Sequence, residues 1–190
     1  TTEGLDIVLV IDTSGSMRAL DFEINGERRS RLDVVKNVVG KFIHERKIDR
    51  LGLVIFGSEA YTMAPLTLDH DVLHFFLNNV EIGMAGEKTA VGDALATAVS
   101  RLKELDSKNR VAILLTDGEN TAGRLSPEVA LETAKQFKVK VYTIAMGTNG
   151  LVPVPDRGGF FSRSQVTVDT TLLKKIAQET GGKFFNAIDM

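Results

Sequence analysis

Four nearly unbroken apolar runs, rich in β-branched residues, punctuate the chain: DIVLVI (6–11), LGLVIF (51–56), RVAILLT (110–116) and KVYTIAMG (140–147). A strand with one wet face alternates apolar and polar residues, so continuous runs of this kind belong to strands covered on both faces. Between them lie stretches whose apolar residues recur at helical spacing. Leu32, Val35, Val39, Phe42 and Ile43 do so within 31–46, and Leu73, Phe76 and Leu77 within 70–79. AVGDALATAVSRLKEL (90–105) has the same character, and Ser126-Pro127 with Glu128 and Glu132 starts a helix that runs to about Phe137. Gly57-Ser58 predicts a tight turn into EAYTMA (59–64), an antiparallel strand. A last helix over 170–180 stops at Gly181-Gly182, and KFFNA (183–187) supplies an edge strand. The pattern predicts an α/β fold: a doubly wound, mostly parallel six-stranded sheet with one antiparallel edge strand and helices on both faces.

The 190 residues suit one domain over 1–190, a length that buries roughly 70% of the surface its unfolded chain exposes. Both ends lie close to terminal strands, as expected of a domain within a longer protein. A formal charge of −2 gives no bulk attraction to nucleic acid or an anionic membrane. No apolar run reaches the roughly 20 residues that span a bilayer. The absence of Cys excludes disulfide frameworks, thiolate-bound zinc and thiol catalysis.

Doubly wound sheets bind ligands beyond the carboxyl ends of their strands. DTSGS (12–16) stands there after the first run, and its Asp12, Ser14 and Ser16 are spaced by two, so their oxygens can share one side. Gly15 is expected to let the backbone curl around them. An oxygen-only donor set selects Mg²⁺, Mn²⁺ or Ca²⁺ over softer metals. Since Mg²⁺ takes six ligands at about 2.1 Å, other loops must contribute. Thr89, before the 90–105 helix, and Asp117, after the third run, are the candidates. Each feature alone has a plainer meaning: a polar turn at DTSGS, a helix cap at Thr89, a turn at Asp117-Gly118.

Together these stretches resemble the von Willebrand factor A (VWA) family. DTSGS resembles its D-x-S-x-S motif, TAVGDAL its threonine loop and LLTDGEN its distal aspartate loop, in the family's order. The resemblance implies a metal-ion-dependent adhesion site (MIDAS). Ser14, Ser16 and Thr89 would coordinate through hydroxyls, and Asp12 and Asp117 directly or through water. Gly15, Asp93, Gly118 and Glu119 are expected to support the site. The implied cofactor is Mg²⁺, with Mn²⁺ or Ca²⁺ as alternatives. The implied function is protein–protein interaction without turnover, the metal accepting a Glu or Asp of a partner.

Within the family, TTEGLDIVLVIDTSGSM, RSRLDVVK, FGSEAYTMAPLTLD and VDTTLLKKIAQETGGKFF most resemble bacterial Bat-type aerotolerance proteins. That resemblance implies an inner-membrane anchor, a periplasmic VWA domain, and partners among other Bat-type proteins or a MoxR-type AAA ATPase. Two other functions compete. One is metal-independent binding through 148–168, read as a long loop without periodic pattern, with Val152-Pro153-Val154-Pro155 extended and Phe160-Phe161 apolar. The other is a Mg²⁺-dependent phosphoryl-transfer enzyme. Against the enzyme, the chain has no phosphate-loop motif, and Ser14 stands where a second Asp would be needed. His44, His70 and His74 read as solvated or packed, and Arg28, Arg29 and Arg31, mixed with Asp21, Glu23 and Glu27, as a solvated face.

Overall fold

The computed structural model describes residues 4–190. In chain order its elements are β1 (Asp6–Asp12), β2 (Phe22–Ile24), β3 (Glu27–Arg29), α1 (Arg31–Glu45), β4 (Arg50–Phe56), β5 (Ala60–Thr67), α2 (His70–Asn78) and α3 (Val91–Lys103). There follow β6 (Arg110–Thr116), α4 (Pro127–Gln136), β7 (Lys140–Ala145), β8 (Gly150–Pro155), β9 (Phe161–Val166), α5 (Thr170–Thr180) and β10 (Phe184–Asn186). Six strands form the main sheet in the order β10-β7-β6-β1-β4-β5, with β5 antiparallel to β4 and the others parallel.

β1 is buried along its whole length because both faces of the sheet are covered. Successive side chains alternate between two cores. Ile7, Leu9 and Ile11 join Leu32, Val35 and Val39 of α1 and Leu73 and Leu77 of α2 on one side. Val8 and Val10 join Leu95 and Val99 of α3, Ala130 and Ala134 of α4, and Leu173 and Ile176 of α5 on the other. The sheet is the one predicted from the four apolar runs.

Helix starts follow their capping residues. Ser30 accepts from Asp33 N–H (3.1 Å), Asp69 from Val72 N–H (3.2 Å) and Ser126 from Val129 N–H (3.2 Å). α3 differs. Its cap residue is Ala90, and Asn120 from a distant loop accepts from Val91 N–H at 3.0 Å. Thr89 therefore does not serve as a helix cap, and its side chain is left for another task.

Two stretches hold more structure than their patterns suggest. Residues 148–168 are no irregular loop: β8 and β9 pair as an antiparallel hairpin, with Pro153 opposite Arg163 and Pro155 opposite Phe161. A two-stranded ribbon tolerates Pro because an outward N–H has no ladder partner to lose. Residues 22–29 form a second hairpin, turned by Asn25 (φ 54°) and Gly26 (φ 81°). Asn-Gly is the strongest short hairpin signal a sequence carries. Leu20 N–H donates to Pro153 C=O (2.9 Å) and ties the segment just before β2 to β8.

Candidate metal centre

Chain direction reverses around β1: the chain moves to β4 and β5, then returns to β6 on the other side. Such a switch point opens a crevice at the carboxyl ends of the strands. Ile11 is in register with Leu115, so Asp12 and Thr116 end side by side. The Thr116 hydroxyl donates to Asp12 Oδ2 at 2.6 Å, and Ser14 N–H donates to Oδ1 at 2.8 Å. Both carboxylate oxygens are thus occupied by neutral donors. The group is fully buried. Desolvation, and then the charge of Asp117, push its pKa up to about 7, against the lowering effect of the bonds from Ser14 and Thr116.

After β1 the chain makes one 3-10 turn (Gly15–Arg18) and brings the Ser14 and Ser16 hydroxyls within 3.1 Å of each other. Ser16 Oγ donates to Asp117 Oδ2. Ser14, Ser16 and Asp117 therefore link oxygen to oxygen, and Asp12 joins them through the Ser14 N–H in one hydrogen-bonded cluster. Gly15 acts differently from expectation. It has no positive φ; instead a Cβ there would lie 2.6 Å from Glu87 Oε2, while its N–H donates to Glu87 C=O at 2.9 Å. Its missing side chain leaves room for the Glu87 carboxylate and the Arg18 guanidinium beside the first loop.

Thr89 reaches the same edge on that segment. It is buried, its N–H donates to Thr121 Oγ1 (3.0 Å), and its C=O accepts from Thr121 and Ala122. Its hydroxyl joins none of the cluster's contacts. The distal loop is shaped by Gly118 (φ 81°), where a Cβ would meet Asp169 C=O at 2.2 Å. Glu119 is exposed and touches the site only through its N–H, 3.3 Å from Asp117 Oδ1. Asp93 accepts from Arg124 and Leu125 N–H at 2.8–3.1 Å and pins the 123–125 loop, away from the cluster.

Arg31 corrects the expectation of a solvated basic face. It is completely buried: its Nη1 donates to Asp117 Oδ2 (3.1 Å) and its Nη2 to Asp21 Oδ2 (2.7 Å). Position alone hinted at this, since Arg31 opens a helix directly after a Ser cap and before buried Leu32. On the outer rim, Glu87 binds Arg18 (2.6 and 2.8 Å) and Arg157 at the tip of the β8–β9 hairpin (2.5 Å). Those hydrogen bonds hold the Glu87 carboxyl down at about 2.

Among the described residues, no three His, Cys, Asp or Glu side chains converge. The cluster offers two carboxylates among hydroxyls, a hard-oxygen set that fits Mg²⁺, Mn²⁺ or Ca²⁺ in kind. Fold and cluster define a class: a doubly wound α/β domain with a hydroxyl–carboxylate cluster at its switch point. The von Willebrand factor type A domain description matches residues 6–190, and the chain belongs to that family.

An uncharacterized protein of Borreliella burgdorferi is 31% identical over 190 residues, covering 98% of this chain and 54% of its own length. The chain spans about half the length of the curated relatives it matches. BatB from Bacteroides thetaiotaomicron has a similar structure, with a TM-score of 0.79, 25% identity, and coverage of 96% of this chain and 90% of that one. An aerotolerance-related membrane protein from Bacteroides fragilis matches with a TM-score of 0.82 at 24% identity, over 96% and 91%. Proximal thread matrix protein 1 from the mussel byssus, solved with a zinc-occupied MIDAS motif, matches with 0.72 at 21% identity, over 97% and 41%. The last two likenesses show the fold alone. Among the described residues no helix is long and apolar enough to cross a membrane.

Proposed function

We propose that this domain is a divalent-cation-dependent docking module for another protein. The observation that carries this reading is the joining of Asp12, Ser14, Ser16 and Asp117 into one oxygen cluster at the ends of β1 and β6. In this reading Mg²⁺ is the resident ion, and Mn²⁺ or Ca²⁺ can replace it. Ser14, Ser16 and Thr89 offer hydroxyls, and Asp12 and Asp117 bind directly or through water. With few direct carboxylates the cation keeps its appetite for anionic oxygen, and a Glu or Asp of the partner supplies it.

The domain acts as a binder rather than an enzyme. No histidine stands near the cluster to serve a nucleophile: His44 lies on α1, His74 on α2, and His70 Nε2 meets Asp49 C=O at 3.0 Å. Residues 1–190 act as one VWA domain of a longer protein, anchored in the bacterial inner membrane with this domain on the periplasmic side. Its partners are other Bat-type proteins or a MoxR-type AAA ATPase system. The likeness to BatB supports a Bat-type setting.

Calorimetry tests the site. Mn²⁺ is expected to bind the wild-type domain and not Asp12→Ala, with unchanged circular dichroism; unaltered binding by the variant removes Asp12 from the site. A second reading has its own support, because Phe160 and Phe161 stand 77% and 69% exposed at the hairpin tip. Capture of the partner from membrane extract separates the two. Loss of capture in EDTA supports the metal bridge, and capture that survives EDTA favours the hairpin.

A further inference from the structure

A buried guanidinium is stable only when its donors are met by acceptors and its charge by carboxylates. Arg31 meets both conditions across four segments of chain. Nε and Nη2 donate to Asp21 (2.7–3.2 Å), Nη1 to Asp117 Oδ2 (3.1 Å), and Nη2 also to Thr148 C=O (3.3 Å). Asp21 Oδ2 in turn accepts from Thr148 N–H at 2.8 Å and from its hydroxyl at 3.4 Å. The pocket is shaped for this side chain: Gly147 (φ 115°) passes so close that a Cβ would lie 2.3–2.6 Å from the guanidinium. Both carboxylates are as inaccessible as the arginine, with Asp21 1% and Asp117 0% exposed.

We propose that Asp21 and Arg31 are positioning residues that set how much of the Asp117 charge reaches the bound cation, and that Thr148 ties this setting to the base of the β8–β9 hairpin. The inference rests on the metal site proposed above. Oδ2 of Asp117 accepts from Arg31 and from the Ser16 hydroxyl alike, so the guanidinium draws on the same oxygen that faces the oxygen cluster. Asp21 draws the guanidinium the other way. The three side chains divide one positive charge between two carboxylates, and any change in that division alters the field at the cluster. Burial removes salt screening, so the effect is felt at full strength.

Two substitutions shift the division in opposite senses. Asp21→Asn keeps the shape and an acceptor for Thr148 but leaves the guanidinium charge to Asp117 alone, so Mn²⁺ binds more weakly. Arg31→Gln removes the positive charge, so Mn²⁺ binds more tightly. At these separations each shift is expected to be about tenfold in Kd. Mn²⁺ alone serves as the probe, titrated by electron paramagnetic resonance, with thermal melting in EDTA recorded alongside. A merely structural role weakens binding in both variants in step with melting temperature, whereas the proposal requires opposite signs. If Arg31→Gln does not fold, Asp21→Asn decides by itself: a folded Asp21→Asn with wild-type or tighter Mn²⁺ binding overturns the proposal. Wild-type protein that takes up no Mn²⁺ refutes the metal site itself, a result distinct from unchanged binding in the variants.

Discussion

Asp12 ends β1 and Asp117 follows β6, its neighbour in the sheet, and both are wholly buried, yet their surroundings are opposite in kind. Asp12 is surrounded by neutral donors, a backbone N–H and a threonine hydroxyl, and its pKa rises to about 7. Asp117 meets the guanidinium of Arg31 at 3.1 Å. Two carboxylates of the same type at one edge therefore respond to different agents. Burial and the Asp117 charge make Asp12 hold its proton longer, while Asp117 shares its charge with a fixed internal guanidinium. Burial sets the penalty on each charge, and whether a cation stands beside the carboxylate divides two equally buried groups.

The largest test removes each carboxylate in turn from the metal-free protein. Asp117→Ala strands Arg31 Nη1 in the interior, and urea unfolding in EDTA at pH 8 is expected to show a loss of about 3–5 kcal/mol. Asp12→Asn, which removes a desolvated charge and keeps an acceptor for Ser14 N–H, is expected to cost nothing at this pH and to raise stability. Equal losses would erase the contrast.

A pH series comes next. Below about 4 the Asp12 carboxyl is protonated in folded and unfolded chains alike. Between about 4 and 7 the folded chain keeps a proton that the unfolded chain has released, so metal-free stability falls as pH rises through that window and levels off above it. Asp12→Asn should flatten this part of the curve. In the proposed site metal and proton compete for the Asp12 carboxylate, so Mn²⁺ uptake by the wild type should strengthen with pH over the same range. The smallest effect belongs to Thr116→Val, which deletes a donor to Asp12 and the acceptor of Gly118 N–H (3.1 Å). About 1–2 kcal/mol of stability should be lost in denaturant unfolding.

Much of the sheet was legible because a strand covered on both faces must be apolar throughout, and β1, β4, β6 and β7 each write that rule into a short run. The loop motifs at 12–16 and 117 were legible for a related reason: small oxygen-bearing residues after such runs have no role in a core, whereas Thr89 was marked by its place before a helix and by the family's threonine loop. Arg31 left only a faint trace, its place between a Ser helix cap and Leu32. A lone arginine among charged neighbours looks solvated until Asp21, Asp117 and Thr148 are brought around it, and those lie 10, 86 and 117 residues away in the chain. The hairpins were hidden for another reason. Neither ribbon joins the main sheet, so neither needs a continuous apolar run, and β8 breaks its pattern with Pro153 and Pro155. In 22–29 only the Asn25-Gly26 pair carried the signal.

β1 is paired on both edges and packed on both faces, which leaves it no side from which to fray. Segments of that kind open only when the whole domain unfolds. The first loop inherits this persistence, since Thr13 N–H still donates to Phe56 C=O at 2.7 Å, one residue beyond the strand. An arriving partner would thus meet oxygens already in place, and little ordering of this loop would slow the encounter. Selectivity would then rest on what the partner presents, as with a lock whose pins never move.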